Sequence, residues 1–128
     1  DAILRAQRQA VSSAVTTTRR TMPIAGHIVP VANVPPSMAS EAGHLLCKSI
    51  LAENMWRNAL VDHPFSATYY DGPEKRHFSL RSPEGGADCG KIAKRMAASF
   101  NQLHNKIWTG GGHQNSAGFD APLGWEGE

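Results

Sequence analysis

Phe65-Ser66-Ala67-Thr68-Tyr69-Tyr70, Asp71-Gly72-Pro73-Glu74 and Arg76-His77-Phe78-Ser79-Leu80-Arg81-Ser82 are three blocks in near succession, and their reading decides the fold. In the first, Phe65, Ala67 and Tyr69 alternate with Ser66, Thr68 and Tyr70. A period of two is the pattern of a strand buried on one face. The second block is turn chemistry, with Gly and Pro beside an Asp. The third alternates again, Phe78 and Leu80 on one side and His77, Ser79 and Arg81 on the other. The three together predict an antiparallel hairpin.

Upstream, residues 22–34 are rich in Ile and Val but contain Pro23 and Pro30. They predict one or two strands, with the prolines at an edge or a bulge because proline lacks a ladder donor. Pro35-Pro36 ends that segment. Ser37 is the expected N-cap of a following helix whose buried stripe is Met38, Ala42, Leu45 and Leu46. That helix is expected to reach about Leu51, with a further helical turn over Met55–Leu60. Residues 2–18 predict another helix, since Ile3, Leu4, Ala10, Val11, Ala14 and Val15 share one arc. Two roles are open to it: an interdomain arm over residues 1–20, or an ordinary packed helix.

Downstream, Pro83-Glu84-Gly85-Gly86 is a loop, and residues 88–104 predict a helix. Ile92, Ala93, Met96, Ala97, Phe100 and Leu103 line its buried side, opposite Lys91, Lys94 and Arg95. Ile107-Trp108 is expected as a short strand before Gly110-Gly111-Gly112-His113. The tail, with Pro122, Gly124 and Trp125, carries no clear signal. The order is helix, strand, helix, strand, strand, helix, strand, which predicts an α/β (α+β) fold. Its expected form is a single mixed β-sheet packed by helices, with residues 21–128 as the domain proper.

The chain has 128 residues, the length of one domain. At 41% hydrophobic and 19% charged it is globular in composition, not a disordered tail. No run approaches the ~20 apolar residues of a membrane span, and Asp1-Ala2-Ile3 does not begin a signal peptide. The chain starts without Met and is expected to be part of a longer protein. Its formal charge of +2 is small for a protein that coats duplex DNA, and suits a partner with few phosphates. Cys47 and Cys89 are too few for a disulfide framework or a structural zinc site. They read as reduced core thiols, which points to a cytoplasmic location.

Three stretches bear on function. The triple glycine 110–112 allows either a flexible loop or a nest of N–H groups around an anion, with His113 as an added donor. Asn115 or Ser116 then begins an expected helix facing the same anion. Arg81 closes a strand with a planar fork of donors suited to phosphate, or is a solvated charge. Lys91, Lys94 and Arg95 are a solvated helix face or a weak steering patch. Asp62-His63 has no second His at ligand spacing, and no cluster in the sequence forms a metal motif. Neither a nucleophile elbow nor a P-loop is present.

Ser79-Leu80-Arg81-Ser82, then Lys91-Ile92-Ala93, then Gly110-Gly111-Gly112-His113-Gln114-Asn115-Ser116-Ala117-Gly118-Phe119 together resemble the DHH-associated domain. This is the C-terminal half of the DHH phosphoesterase superfamily. Val29-Pro30-Val31-Ala32-Asn33-Val34-Pro35, with Ser40 before Glu41–Leu46, resembles its opening, so the likeness covers about residues 22–120. Two departures are visible. Thr109 stands where the family often has a fourth glycine, and the spacer before the glycines is long.

The resemblance implies a substrate-binding domain of a metal-dependent phosphoesterase acting on short oligonucleotides or nucleotides. It implies substrate contacts from Arg81, Gly110, Gly111, Gly112 and His113, with Ser82 and Asn115 beside them. It implies no catalytic residue and no cofactor in this chain. Two manganese ions would sit in an N-terminal DHH domain, the partner over which this domain closes, and a homodimer is a further partner. The alternative is a nucleic-acid-binding module without catalysis, since a related domain ends alanyl-tRNA synthetases.

Overall fold

A computed structural model describes residues 1–53 and 65–128. The turn expected over Met55–Leu60 and the Asp62-His63 pair lie outside them. The described elements are α1 (Ala2–Thr18), β1 (Arg20–Ile24), β2 (His27–Asn33), a 3₁₀ turn (Pro36–Met38) and α2 (Ala39–Glu53). They continue with β3 (Ser66–Asp71), β4 (Lys75–Arg81), α3 (Cys89–His104), β5 (Gly110–Gly112) and β6 (Ser116–Pro122). The strands form one sheet in the order β1-β2-β3-β4-β6-β5. Only β2 and β3 run parallel among these pairs, so the sheet is mixed, as the sequence predicts.

The 65–82 hairpin forms as read, with Ser66 opposite Arg81 and Tyr69 opposite Phe78. Phe65, Ala67, Tyr69, Phe78 and Leu80 enter the main core, where α3 packs. The other face of β3 is not open to solvent as a half-buried strand would be. Ser66 and Thr68 are buried too, because α2 lies over them. The Ser66 hydroxyl is satisfied there by donating to the Gly43 carbonyl at 3.1 Å.

Residues 20–33 make a second hairpin, turned by Ala25 and Gly26 at φ 52° and 82°. Positive φ at both central residues is what a two-residue turn needs to match strand twist. Pro23 lies on the edge strand β1. Pro30 is inside the sheet but precedes the β3 ladder, which starts at Val31, so its missing N–H breaks no parallel bond.

α1 is a packed helix over its second half, where Val11 and Val15 join Ala32, Val34, Ala42 and Leu46 in a second core. Residues 1–10 are exposed. Ser37 is not an N-cap; it lies within the 3₁₀ turn, where Pro35 and Pro36 set the helical entry instead. Leu45 is at the surface.

α3 is capped by Asp88, whose carboxylate accepts from the Lys91 N–H. Its buried stripe is as expected except for Leu103, in the last turn before the left-handed Asn105 cap, which is 74% exposed. Ile107-Trp108 is not a strand. Ile107 is 96% exposed, while Asn101 holds Trp108 through two side-chain bonds to its backbone.

The last residues are ordered by packing. Trp125 meets Phe78, Phe100 and Phe119 edge-on, with ring centroids 5.2–6.2 Å away. Beyond it, the chain runs along β1. The Glu128 N–H donates to the Pro23 carbonyl, and the Glu128 carboxylate accepts from the Gly26 N–H. Among the described residues no helix is long and apolar enough to cross a membrane.

Candidate functional site

The triple glycine is a strand, not a curled loop. Gly110, Gly111 and Gly112 pair with Phe119, Gly118 and Ala117 as the sheet edge β5. A Cβ on Gly110 would stand 2.4 Å from the Ala93 carbonyl oxygen of α3. One on Gly112, at φ 144°, would meet Ala117 and Ser116 at 2.7 Å. The glycines thus let an edge strand lie directly on a helix. Asn115 and Ser116 do not start a helix; Ser116 opens β6, and His113–Asn115 is the turn between the two strands.

That turn is tied down from two sides. The Cys89 N–H donates to the Gln114 carbonyl at 2.7 Å, and the Ser82 N–H to the Asn115 carbonyl at 3.1 Å. The buried Ser82 hydroxyl donates to the Ala87 carbonyl at 2.8 Å and accepts from the Asn115 amide at 3.1 Å. Ser82 is therefore a staple between the loop after β4 and the β5–β6 turn.

Arg81 faces elsewhere. Its guanidinium donates to the Ser40 hydroxyl at 3.1 Å and to His44 Nε2 at 3.3 Å, both on α2. β6 separates β4 from β5, so the Arg81 strand and the glycines are about 10 Å apart at ordinary strand spacing. Gly43 permits the α2 contact, since a Cβ there would press to 3.2 Å on the Arg81 Cβ.

Two clefts meet at this guanidinium. One, of about 250 Å³, is floored by Ser79 and Leu80 and walled by Ser40, Gly43 and Ser116. The other, of about 550 Å³, is lined by Arg81, Ser82 and Asn115 with His44, Cys47 and Lys48. Of the expected site residues, the fold gathers Arg81, Ser82 and Asn115 around one opening. It leaves the three glycines in the ladder and His113 exposed on the turn.

Ser40, His44 and Lys48 are the residues that sequence reading missed. Their spacing of four is the available signal: on a helix it places all three along one face. With Arg81 they form a polar cluster on a part-exposed surface, in which Ser40 and His44 accept from the guanidinium and orient its remaining N–H groups. Such a cluster can hold an anion, the Arg fork giving it direction.

The clefts offer little for covalent chemistry. Burial pushes the Cys47 thiol up, against the opposing pull of its Ser66 hydrogen bond, so it stays protonated at neutral pH. Cys89 is raised for the same first reason. Among the described residues no three His, Cys, Asp or Glu side chains stand together as metal ligands.

No protein-family model matches the chain, and no curated protein matches it in sequence. Its fold is similar to part of a solved structure described as a DHH-domain member of the s1p family of ribosomal proteins. The TM-score is 0.50 at 15% identity, over 90% of this chain. This chain spans about a quarter of that protein's length. The likeness is one of fold.

Proposed function

We propose that this domain is a nucleic-acid-binding module that grips a phosphate of single-stranded RNA or a short oligonucleotide, without itself catalysing a reaction. The observation that carries this reading is the Arg81 guanidinium, held between Ser40 and His44 where two clefts meet. Lys48 borders the wider cleft and adds a donor, while Asn115, both of whose amide hydrogens are taken by Ser82 and Pro83, shapes the cleft wall; exposed His113 extends the contact along the turn. Phosphate fits because it offers several acceptor oxygens to a planar fork and its neighbours. The modest +2 charge supports a ligand that places only a few phosphates on the protein. Two buried, unbridged thiols suit a reducing compartment such as the cytoplasm.

A second reading is favoured by the fold similarity to a protein with a DHH domain. In it, this domain orients a nucleotide phosphate for a preceding domain that holds two manganese ions. The binding chemistry assigned to Arg81 is the same in both readings.

Fluorescence anisotropy with a labelled eight-nucleotide single-stranded RNA tests the proposal. Binding should weaken steeply with salt, and Arg81→Ala should lower affinity about tenfold or more, as loss of a charge-assisted bond implies. Failure to bind single-stranded RNA or DNA at low salt would overturn it. Manganese-dependent hydrolysis by a longer form of the protein, impaired by Arg81→Ala, would select the second reading.

A further inference from the structure

The outer face of the sheet continues beyond Arg81 along β4. Ser79 and then His77 follow on the same side, because residues two apart share a face. The cleft at Arg81 and the next one, of about 330 Å³, share Pro36, Ala39 and Ser79 as wall and floor, so they are continuous. At the far end stands an aromatic pair. The Tyr70 and His77 rings stack with centroids 4.8 Å apart and planes 25° from parallel. Tyr70 and His77 are cross-strand neighbours, both half-buried and both bordering the cleft.

The pair is held from below. Asp120, on β6 opposite His77, accepts from His77 Nδ1 at 2.6 Å and from Lys75 Nζ at 2.8 Å. The imidazole is thereby fixed in its plane, and Tyr70 rests on a rigid ring. Beside it, Gly118 pairs with Ser79. A side chain there would start from a Cβ 3.0 Å from the Phe78 carbonyl oxygen; its absence leaves the floor flat. Flat floor, rigid ring and part-exposed tyrosine are the elements of a platform for a planar apolar group.

We infer that Tyr70 and His77 form a nucleobase-stacking subsite for the ligand whose phosphate sits at Arg81. The inference rests on the phosphate reading above and names what lies next to that phosphate. Positions 77 and 81 are about 13 Å apart along the strand. With the phosphate and the base held at opposite ends of that span, the proposal assigns the stacked base to a neighbouring nucleotide. The ligand is accordingly a single strand of at least two nucleotides laid along β4. Stacking accepts any base, so the subsite selects for single strands rather than for sequence.

The test compares two probes on the intact chain: a five-nucleotide oligoadenylate and an abasic strand of the same length. Tyr70→Ala should weaken oligoadenylate binding on the order of tenfold, the usual worth of one stacked base, and leave abasic-strand binding unchanged. Tyr70→Phe should bind like the wild type. In the wild type, oligoadenylate but not the abasic strand should shift the Tyr70 ring protons upfield, a readout that needs no variant. Equal affinity of wild type and Tyr70→Ala for oligoadenylate, or no ring shift on saturation, overturns the subsite. If Arg81→Ala weakens both probes while these tests fail, the phosphate site stands without the platform. If Arg81→Ala weakens neither probe, the phosphate reading itself falls.

Discussion

A Cβ added to Gly90, in the first turn of α3, would lie 2.8 Å from the carbonyl oxygen of Gly112 on β5. Helix and edge strand touch through bare backbone at that point. The same holds one turn further along α3, where Gly110 meets Ala93. The obstacle in each case is backbone, which cannot swing aside as a flexible side chain would.

Gly110→Ala should therefore destabilise the protein by about 3 kcal/mol, the upper end for overpacking a tight contact. Gly85→Ala should cost roughly 1 kcal/mol, since space is open there and only a left-handed backbone angle of 79° objects. Urea unfolding of both variants checks the ranking. An equal loss in the two would mean that β5 does not lie on α3.

Arg76 should give the protein an acid-sensitive limb. Its guanidinium binds both Asp71 oxygens, at 2.7 and 3.1 Å, and holds that carboxyl below its ordinary range. A depressed carboxyl stabilises the fold above the unfolded pKa, about 3.9, and the benefit is lost as pH falls through the lower folded value. Asp71→Asn should flatten stability against pH below about 4. The neutral-pH loss should stay within about 1 kcal/mol, because the carboxylate is half exposed and screened. Thermal melts across pH 2–6, on the order of one unit apart, read this directly.

Both cysteines should be silent to thiol reagents in the native state. Each is buried, and burial raises each pKa, which lowers the thiolate fraction. Two thiols should react only after denaturant is added. Rapid modification of Cys47 in the folded protein would show that the cleft beside it opens to solvent.

Trp125→Ala should cost about 3 kcal/mol, in line with removing a large aromatic from a packed cluster. Phe78 and Phe119 would keep their mutual stack at 5.0 Å but lose the ring that closes them from the side. Calorimetry measures the loss; no change in melting temperature would place Trp125 outside the core.

Much of the fold was legible because two periods are hard to confuse. Alternation over 65–82 and the 3.6-residue stripe over 88–104 each name the correct element; the second buried face of β3, covered by α2, is what alternation cannot show. The errors arose where backbone, not side chain, decides. A run of glycines has no periodicity, so a strand made of them is invisible to pattern; the strand expected at Ile107-Trp108 stands instead at Gly110–Gly112. The tail was silent because Trp125 acts through partners distant in sequence. Arg76 shows the same limit: it shares the core face of Phe78 and Leu80, and is buried only because Asp71, the Trp125 carbonyl and the Tyr69 ring receive it. At the site, Arg81 stood out by type. Its companions on α2 did not, because Gly43 sets that contact and nothing in its own letter says what will approach it.

The bond between Gly26 and Glu128 joins residues 102 positions apart. A hairpin such as β1–β2 closes within microseconds, yet its clasp is made 102 residues later in synthesis. Until then the nascent polypeptide carries an unlatched outer strand, and Pro23, which offers no amide hydrogen to a stranger, is its guard.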